Sequence, residues 1–434
     1  MPQPFSSETA PPSAGVRQRW RRLDWSKRPD QIAEAMALCE GFVWLDSALP
    51  AADSVSILTA FPTEILTGHL RRDWHLVAAA LGKARHAVEN IPPCPGDPAA
   101  CPPAGGLYGW VGFDGQFVLG SYPHALLYDH GSGIWFESGQ ISSLVDWTKT
   151  APSVIPPVLD FQPMVPRPDF LRQVNRAQEY ISAGDIYQVN LSVPWRASWP
   201  PGAPFLPLYQ NLRKVSPAPH AACLNLQGTT VLSASPELFL KISGRTIATR
   251  PIKGTRPRFA ADPARDAASA RELLASPKER AELLMITDLE RNDLGQVCEF
   301  GSVAVPELWK VESFAQVYHL VSTVTGKLRP EISHAEAFRA CFPGGSISGA
   351  PKRRALEIIE ELEPHPRGHY TGAIGYFGFD GESQWNIAIR TAVQTGSGIS
   401  FHVGSGIVAD SIPEHEWDET LHKAAGVLAA AGGK

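Results

Sequence analysis

Residues 221–251, AACLNLQGTTVLSASPELFLKISGRTIATRP, constrain the fold more than any other stretch of the chain. Short apolar runs alternate there with the turn-forming pairs Gln227-Gly228 and Ser243-Gly244, which predicts a β-meander. Further strand-like runs lie at 373–379, 385–394 and 399–403. Because the strands come in runs with helical patterns between the runs, we predict an α+β protein whose helices lie outside large sheets.

Three helices are predicted around these strands. DFLRQVNRAQEYISAGD (169–185) carries apolar residues at helical spacing and stops at Gly184. A second helix runs from about Pro277 into MITDLERNDLG, and a third begins near Pro413.

The composition of successive segments predicts the domain organisation. Residues 1–18, rich in Pro, Ser and Ala, are predicted to be a disordered leader. Residues 19–150 alternate strand-like runs with loops and are assigned to an N-terminal subdomain. The Pro-rich residues 151–168 are predicted to link it to a larger domain at 169–430.

The bulk properties exclude several classes of function. The chain has 434 residues, 44% of them apolar, which is enough for a substantial core. A net charge of −5 argues against a general nucleic-acid binder. None of the six cysteines forms a C-x-x-C pair, which favours a reduced, cytoplasmic protein over a disulfide scaffold or zinc ribbon. The sequence contains neither the apolar core of a signal peptide nor a run of about 20 apolar residues, so neither secretion nor a membrane span is predicted.

Two pairs of glutamates have the spacing E-x-x-E: Glu279 with Glu282, and Glu416 with Glu419. On a helix, residues three apart share a face, where like charges repel each other. Either pair alone is typical of a solvated helix face. Two pairs on facing helices would instead hold a hard divalent cation, and Mg²⁺ fits best because it takes a few carboxylates and keeps waters.

Two glycine-rich segments precede predicted helices. PGGSISGAPK (343–352) resembles a phosphate-binding loop, but Ala350 and Pro351 interrupt the required pattern before the lysine. VGSGIVADSIPEHE (403–416) is predicted to be a strand, then a loop at Gly404 and Gly406, then a helix. Free N–H groups at a helix N-terminus favour an anion, although either segment alone is also typical of a simple turn.

Single polar residues within apolar runs are further candidates for function. Arg390 ends the strand-like NIAIRT, and its guanidinium has the geometry to bind a carboxylate with two hydrogen bonds. His319 lies within VYHLVS. The alternatives are a surface ion pair for Arg390 and a core histidine for His319. The sequence lacks G-x-S-x-G, and HEWDE at His415 lacks the second histidine of a zincin, so serine and zinc hydrolysis are unsupported.

Lys253 lies in the basic stretch RPIKGTRPR (250–258). Neighbouring cations loosen the proton of a lysine, and burial loosens it further. An unprotonated amine is a nucleophile. Lys253 is therefore a candidate nucleophile, and Arg250, Arg256 and Arg258 would help to lower its pKa if they point inward; the alternative is an ordinary surface lysine.

Taken together, these segments resemble the chorismate-utilising enzymes, a family that includes anthranilate, isochorismate, salicylate and aminodeoxychorismate synthases. The resemblance covers about residues 165–430 and is less specific in the N-terminal part, at FVWLDSA and GGLYGWVGFD. The segments that carry it, in chain order, are PIKGTRPR, DLERNDLG, FPGGSISGAPK, GAIGYFGF, NIAIRT and GSGIVADSIPEHEWDET. It implies a chorismate-binding fold of two large, mostly antiparallel β-sheets packed together with helices outside.

The resemblance also implies roles for individual residues. The matched metal positions are Glu282 and Glu419, which would bind the Mg²⁺ that holds the ring carboxylate of chorismate, and Glu279 and Glu416, which would assist. The matched substrate positions are Arg390, Tyr376, Ser346, Gly404, Gly406 and Lys423. Of these, Arg390 and Tyr376 would hold the enolpyruvyl carboxylate. The matched catalytic positions are Lys253, Glu237 as general acid and base, and His319 near the reacting ring.

Two positions distinguish members of the family from one another. Members that add water use a lysine as base in the strand equivalent to IYQVNLS, where this chain has Gln188, and an amide is no base at neutral pH. Lys253 in P-I-K-G-T is typical of aminodeoxychorismate synthases, whereas anthranilate synthases usually carry alanine there. The resemblance thus implies that Lys253 attacks C2 of chorismate, so that ammonia enters at C4 and gives 4-amino-4-deoxychorismate.

The resemblance further implies a partner, because the chain carries no glutaminase signature. A separate glutamine amidotransferase subunit would supply ammonia, giving a heterodimer. The alternatives are an anthranilate synthase component and a non-catalytic protein that binds chorismate or tryptophan. WLDSA (44–48) is comparable to the tryptophan-pocket segment of anthranilate synthases, and whether this chain binds tryptophan stays open.

Overall fold

The computed structural model describes residues 20–49, 54–89, 105–151, 155–314 and 317–432. The leader predicted at 1–18 lies outside the described residues. The described chain forms two large antiparallel sheets with helices on their outer faces, so the predicted fold class is confirmed.

The first sheet has twelve strands. In sheet order they are β1 (Arg21–Leu23), β8 (Ile134–Ser138), β7 (Ala125–Asp129), β3 (Val55–Thr59), β2 (Val43–Asp46), β11 (His220–Leu226), β12 (Thr229–Ser235), β21 (Thr391–Thr395), β22 (Gly398–Ile407), β10 (Gln188–Ser198) and β18 (Gly349–Ala350), with β9 (Gln162–Pro163) also beside β10.

The second sheet has ten strands. In sheet order they are β15 (Ile252–Pro257), β17 (Val317–Lys327), β14 (Thr246–Arg250), β13 (Leu238–Ser243), β20 (Glu382–Ile387), β19 (Ala373–Gly378), β5 (Gly106–Val111), β6 (Gln116–Tyr122) and β4 (Glu64–His69), with β16 (Ala304–Ser313) also beside β17. Both sheets contain strands from before residue 150 and from after residue 169.

The helices fall between the strands in the chain. They are α1 (Pro29–Met36), α2 (Trp74–Glu89), α3 (Ile141–Leu144), α4 (Arg167–Ser182), α5 (Leu206–Val215), α6 (Pro263–Ala275), α7 (Pro277–Gly295), α8 (His334–Cys341), α9 (Lys352–Leu362) and α10 (Pro413–Ala430), with a 3₁₀ turn at Gly345–Ile347. Helix α7 begins where its sequence predicts, because a proline at its first position follows Ser276, whose side chain accepts a hydrogen bond from the Glu279 N–H.

Three of the four apolar clusters among the described residues hold the layers together. One contains residues of both sheets, such as Leu224 of the first and Val118 of the second, and therefore lies between them. A second cluster joins the first sheet to its helices and includes Val193 of β10 and Phe170 of α4. A third joins the second sheet to its helices and includes Phe377 of β19 and Phe338 of α8. The two sheets thus pack against each other through a shared apolar cluster.

The meander predicted at 221–251 is divided between the two sheets. Strands β11 and β12 pair in the first sheet and β13 and β14 in the second, so the chain crosses between sheets at 236–237. It crosses again at 388–390, from β20 to β21. Because β12 pairs with β21 and β13 pairs with β20, the two crossings lie side by side.

Candidate active site

The two crossings place Glu237 and Arg390 next to each other. The Ile387 N–H donates to the Glu237 carbonyl at 3.1 Å, and the Ala234 N–H donates to the Arg390 carbonyl at 3.0 Å. Arg390 has a φ of 50°, a left-handed conformation that few residues other than glycine adopt. The sequence therefore brings a carboxylate and a guanidinium together where two adjacent crossings leave the sheets.

The Arg390 side chain is half-buried at this crossing. Among the described residues it makes no hydrogen bond and no ion pair, and burial lowers its pKa while the charge of Glu237 opposes that effect. A buried, unpaired cation is costly. The Arg390 guanidinium is therefore available to an anionic ligand.

Lys253 reaches the same interior from β15. The ladder between β15 and β17 shifts register between Lys253 and Thr255. Gly254 lies in this irregularity with a φ of 75°, where a Cβ would come within 2.8 Å of the Glu279 carboxylate. Such a bulge redirects the neighbouring side chains. The Lys253 amine donates to the carbonyl of Ser346 at 3.1 Å.

Burial is the main cause that lowers the pKa of Lys253. The nearby Lys423 lowers it further, whereas the carboxylates of Glu282, Glu237 and Glu419 raise it. This balance makes the neutral, nucleophilic amine more accessible than in a free lysine.

The arginines of RPIKGTRPR do not contribute to this shift, contrary to one part of the sequence-based interpretation. They pair with carboxylates instead: Arg250 with Glu312, Arg256 with Glu279, and Arg258 with Asp266. Their charges are neutralised locally, and Lys253 is perturbed by its buried position.

Glu237 and Ser346 lie beside Lys253 in the interior. Glu237 is 5% exposed, and burial raises its pKa while Lys253 lowers it. This favours a carboxyl that holds a proton at higher pH than a free glutamate does. Ser346 is also buried, and its hydroxyl lies close enough to the Glu237 carboxylate to lower that group's pKa, opposing the effect of burial.

His319 is held close to Lys253 by the strand pair β15–β17. Its Nδ1 lies 2.9 Å from the Thr255 hydroxyl, and Thr255 pairs with His319 in the ladder. Burial, with a contribution from Arg390, lowers the pKa of His319 to about 3. The imidazole is therefore neutral at physiological pH.

The four glutamates split into two kinds of environment. Glu282 of α7 and Glu419 of α10 lie near each other and near Lys253. Burial raises the pKa of Glu282, the charge of Lys253 lowers it, and the charge of Glu419 raises it. Glu279 is paired with Arg256. Within the described residues, no three His, Cys, Asp or Glu side chains gather closely enough to hold a metal by themselves. Carboxylate oxygens are ligands of the kind that Mg²⁺ takes, and Glu419 is also in contact with the Lys423 amine.

Glu416 is the most enclosed of the four. It is 4% exposed, and its two oxygens accept hydrogen bonds from the hydroxyls of Ser405 and Ser411. These bonds fasten the first turn of α10 to β22. Both oxygens are thus already engaged by hydroxyl groups.

Gly404 and Gly406 lie inside β22, not in a loop as the sequence predicts. They pair with Ser192 and Asn190 of β10. Both positions need glycine because a side chain there would collide with a neighbour. A Cβ on Gly406, for example, would lie 2.7 Å from the Gln188 amide and 3.9 Å from the Lys253 amine. The glycines therefore let β22 approach the site closely.

Lys423 extends from α10 toward these glycines. Its amine donates to the Gly404 carbonyl at 2.8 Å and contacts the Glu419 carboxylate at 2.6 Å. Lys423 thus links α10, which carries Glu416 and Glu419, to β22 at Gly404.

Tyr376 is the predicted residue that the structure does not bring to this site. Its ring stacks on Tyr108 with centroids 5.3 Å apart, and it lines a small cavity of about 40 Å³ together with Leu45 and Asp46. Tyr376 shares a face of β19 with Ile374, which belongs to the cluster between the sheets. Strand alternation could have indicated this.

Tyr370 is a site residue that the sequence analysis missed. A Cβ on Gly404 would lie 2.7 Å from its hydroxyl, and its ring stacks on His402 at 5.3 Å. Burial raises its pKa, so the hydroxyl remains a hydrogen-bond donor. Its position just before β19, in the same segment as Tyr376, is the only signal that the sequence offers.

Gln188 of β10 also lines the site. Its side chain is fully buried, and neither the amide nitrogen nor the amide oxygen is hydrogen-bonded to a described residue. A buried amide without partners is rare, and this one lies at the site of Lys253 because both approach Gly406.

This site lies within the part of the chain that a family model matches, residues 110–429, and that model describes a chorismate binding enzyme. The chain belongs to the chorismate binding enzymes. It is therefore an enzyme of a family that acts on chorismate, and the resemblance seen in the sequence is confirmed at the level of the family.

Individual relatives of this chorismate binding enzyme carry different names. It is 50% identical over 262 residues to anthranilate synthase component 1 of Streptomyces coelicolor, an alignment that covers 60% of this chain and 51% of that one. It is 41% identical over 327 residues to aminodeoxychorismate synthase component 1 of Escherichia coli, covering 72% and 70%. The chain spans about half the length of several curated relatives that it matches. Sequence similarity therefore resolves the family and not the member.

Solved structures support the same fold. Anthranilate synthase component I from Streptococcus pneumoniae superposes with a TM-score of 0.74 at 28% identity, covering 87% of this chain and 93% of that one. The menaquinone-specific isochorismate synthase of Escherichia coli superposes with a TM-score of 0.76 at 16% identity, covering 95% and 93%. Among the described helices, none has the length and apolar character needed to cross a bilayer.

Proposed function

We propose that the chain is the chorismate-aminating component of an aminodeoxychorismate synthase, which forms 4-amino-4-deoxychorismate from chorismate and ammonia. The observation that carries the proposal is the Lys253 amine. It is half-buried, desolvation lowers its pKa, and it lies in the interior with Glu237 and Arg390. A surface lysine would have none of these properties.

In the first step, the neutral Lys253 amine attacks C2 of chorismate. The ring double bonds shift, the bond between C4 and the hydroxyl oxygen breaks, and the hydroxyl leaves as water with a proton from Glu237. The raised pKa of Glu237 supports this role, because burial favours the protonated form that a general acid needs. The substituted amine then returns one proton to the carboxylate.

In the second step, ammonia attacks C4 and the bond between C2 and the Lys253 nitrogen breaks. The lysine takes a proton and leaves, and the enolpyruvyl group remains on the ring. Ammonia plus chorismate thus gives the product and water. Because Lys253 occupies C2 during the first displacement, the nitrogen enters at C4.

The substrate carries two carboxylates, and the site has separate groups for them. Arg390, free of protein partners, would bind the enolpyruvyl carboxylate, with Lys423 nearby. Glu282 and Glu419 would hold Mg²⁺, which neutralises the ring carboxylate when bound. His319 is neutral, so it would contact the ring as a polar group without adding charge.

Gln188 supports amination over hydration. An amide cannot remove a proton from water, whereas ammonia needs no base because its lone pair is free. The unpartnered amide is available to hydrogen-bond an incoming small polar molecule.

A glutamine amidotransferase partner would supply the ammonia, giving a heterodimer in the pathway to p-aminobenzoate and folate. Relatives named component 1 of their synthases support such a partner. The second candidate function is anthranilate formation, which the 50% identity to the Streptomyces coelicolor protein favours. A non-catalytic protein that binds chorismate or tryptophan is disfavoured, because Lys253 and Glu237 retain perturbed pKa values beside each other.

Product analysis tests the proposal. The purified chain is incubated with chorismate, Mg²⁺ and an ammonium salt, and the product is identified by mass spectrometry. A product that keeps its enolpyruvyl group and gains nitrogen is expected, and Lys253→Ala should abolish it. Lys241→Ala, which removes an exposed lysine from a neighbouring strand of the same sheet, should leave it unchanged. Anthranilate and pyruvate would overturn the proposal in favour of the second candidate.

A further inference from the structure

The carbonyl that accepts the hydrogen bond from Lys253 belongs to a short turn at 343–348. Ser346 lies in the middle of that turn, within the 3₁₀ segment Gly345–Ile347. The direction of its carbonyl therefore depends on how the residues on either side are held.

Glu290 holds the residue before Ser346. Its Oε1 accepts the backbone N–H of Gly345 at 2.9 Å, and a Cβ on Gly345 would lie 3.0 Å from the same oxygen. Glu290 is 2% exposed, and its second oxygen has no hydrogen-bond partner among the described residues. It extends from α7, the helix that also carries Glu279 and Glu282, but it lies two turns further along the helix.

Other hydrogen bonds hold the rest of the turn. Lys352 pairs with Asp293 and donates to the Pro343 carbonyl at 2.8 Å. Arg367 donates to the Ile347 carbonyl at 3.0 Å. The Ser348 N–H and hydroxyl both reach the Gly345 carbonyl at 3.4 Å, and Glu290 is the described side chain that accepts the Gly345 N–H. Glu290 therefore orients, from the Gly345 N–H side, the peptide that carries the Ser346 carbonyl.

We infer that Glu290 is a positioning residue: its hydrogen bond to Gly345 holds the Ser346 carbonyl against the Lys253 amine and thereby directs that amine toward the substrate. The inference rests on the proposed role of Lys253. Glu290 acts through the backbone and does not touch the reacting atoms. What matters is the location of one acceptor oxygen and not the charge of the carboxylate.

Two substitutions of Glu290 separate the effect of the position of its acceptor oxygen from the effect of its charge. Glu290→Gln keeps an acceptor oxygen in place and removes the charge, whereas Glu290→Asp keeps the charge and withdraws the oxygen by one methylene. We expect Glu290→Asp to lower kcat by about tenfold to a hundredfold, since small misplacements of a reacting group have effects of that size. Its KM for chorismate should change little, because Arg390 and the metal site are untouched. Glu290→Gln should retain a kcat within about threefold of the wild type.

A second readout does not need turnover. Trace acetylation with isotopically labelled acetic anhydride, followed by peptide mass spectrometry, reports the reactivity of the Lys253 amine. An acceptor that hydrogen-bonds an amine favours its charged form, so loss of the Ser346 contact should speed the labelling of Lys253 in Glu290→Asp by about tenfold. The aspartate variant would thus label faster and turn over more slowly.

Thr287→Val is the matched control. Thr287 lies one turn earlier on the same buried face of α7, and its hydroxyl bonds only within the helix, to the Leu283 carbonyl. This variant should lose comparable thermal stability without a change in kcat or in the labelling of Lys253. Equal losses of kcat in the glutamine and aspartate variants would overturn the inference, as would labelling of Lys253 at the wild-type rate in Glu290→Asp. If the wild type makes anthranilate while the labelling results hold, the proposed function fails and the positioning role of Glu290 stands.

Discussion

Replacing Arg390 with leucine should make the ligand-free protein more stable and nearly abolish substrate binding. The side chain is half-buried, desolvation lowers the pKa of its guanidinium, and it makes no hydrogen bond or ion pair with a described residue. Such a charge destabilises the folded state until an anion binds. Residues held for function at a cost in stability behave in this way.

The magnitudes follow from the surroundings of Arg390. Burying one unpaired ion costs several kcal/mol after relaxation, and the nearby charge of Glu237 offsets part of this cost. We therefore expect Arg390→Leu to raise the free energy of unfolding by about 2 kcal/mol, roughly 2–4 °C in Tm for a chain of this size. Removing one partner of a desolvated charge pair costs about 2–5 kcal/mol of binding, so chorismate should bind about 30-fold to 5,000-fold more weakly.

Thermal melts with and without chorismate, in Mg²⁺ and without ammonia, measure both effects. The wild type should melt higher when chorismate is added, and Arg390→Leu should melt higher than the wild type alone but gain nothing from chorismate. Arg196→Leu, at an exposed position of β10, is the control and should not raise the Tm. An Arg390→Leu variant that melts lower than the wild type and keeps its ligand-induced shift would refute the reasoning.

Four further predictions concern other parts of the site. Because burial lowers the pKa of Lys253 below its ordinary value of 10.5, its acetylation rate should rise with pH and level off with a midpoint below 10.5; a midpoint at or above that value contradicts the account. Arg367→Met leaves the buried carboxylate of Glu363 unpaired and should cost about 3–5 kcal/mol in urea denaturation, and a loss under 1 kcal/mol would be inconsistent with it. Glu282→Gln should weaken Mg²⁺ binding at least about tenfold in titration calorimetry, and an unchanged affinity would remove the metal assignment. His319, with a pKa of about 3, should stay neutral in an NMR titration from about pH 5 to pH 8, and protonation in that window would show that it is not buried as described.

Local patterns predicted the elements of this fold well. The helices beginning at Pro277 and Pro413 and the hairpin turn at Gln227-Gly228 follow from capping, proline position and turn chemistry. Such signals involve residues that are neighbours in the sequence. They do not indicate which strands share a sheet.

The division of the meander between two sheets was not predictable from local patterns. The segment at 236–237 resembles another turn, and only the pairing of β12 with β21 and of β13 with β20 reveals a crossing. For the same reason the sequence identified Glu237 and Arg390 as candidates without indicating that they meet.

The sequence also did not indicate which carboxylates pair with which arginines. Three arginines around Lys253 predict a basic environment, yet each is neutralised by a carboxylate from another element. The choice of Tyr376 instead of Tyr370 has a related cause, because two tyrosines six residues apart face different interiors once β19 is formed.

The central claim is that Lys253 attacks chorismate, and a covalent adduct tests it most directly. The protein is incubated with chorismate and Mg²⁺ in the absence of ammonia, quenched, digested and analysed by mass spectrometry. The account predicts that the peptide containing Lys253 gains the mass of chorismate less one water, and that Glu237→Gln slows its appearance. An unmodified Lys253 in protein that aminates chorismate at full rate once ammonia is added would contradict the account.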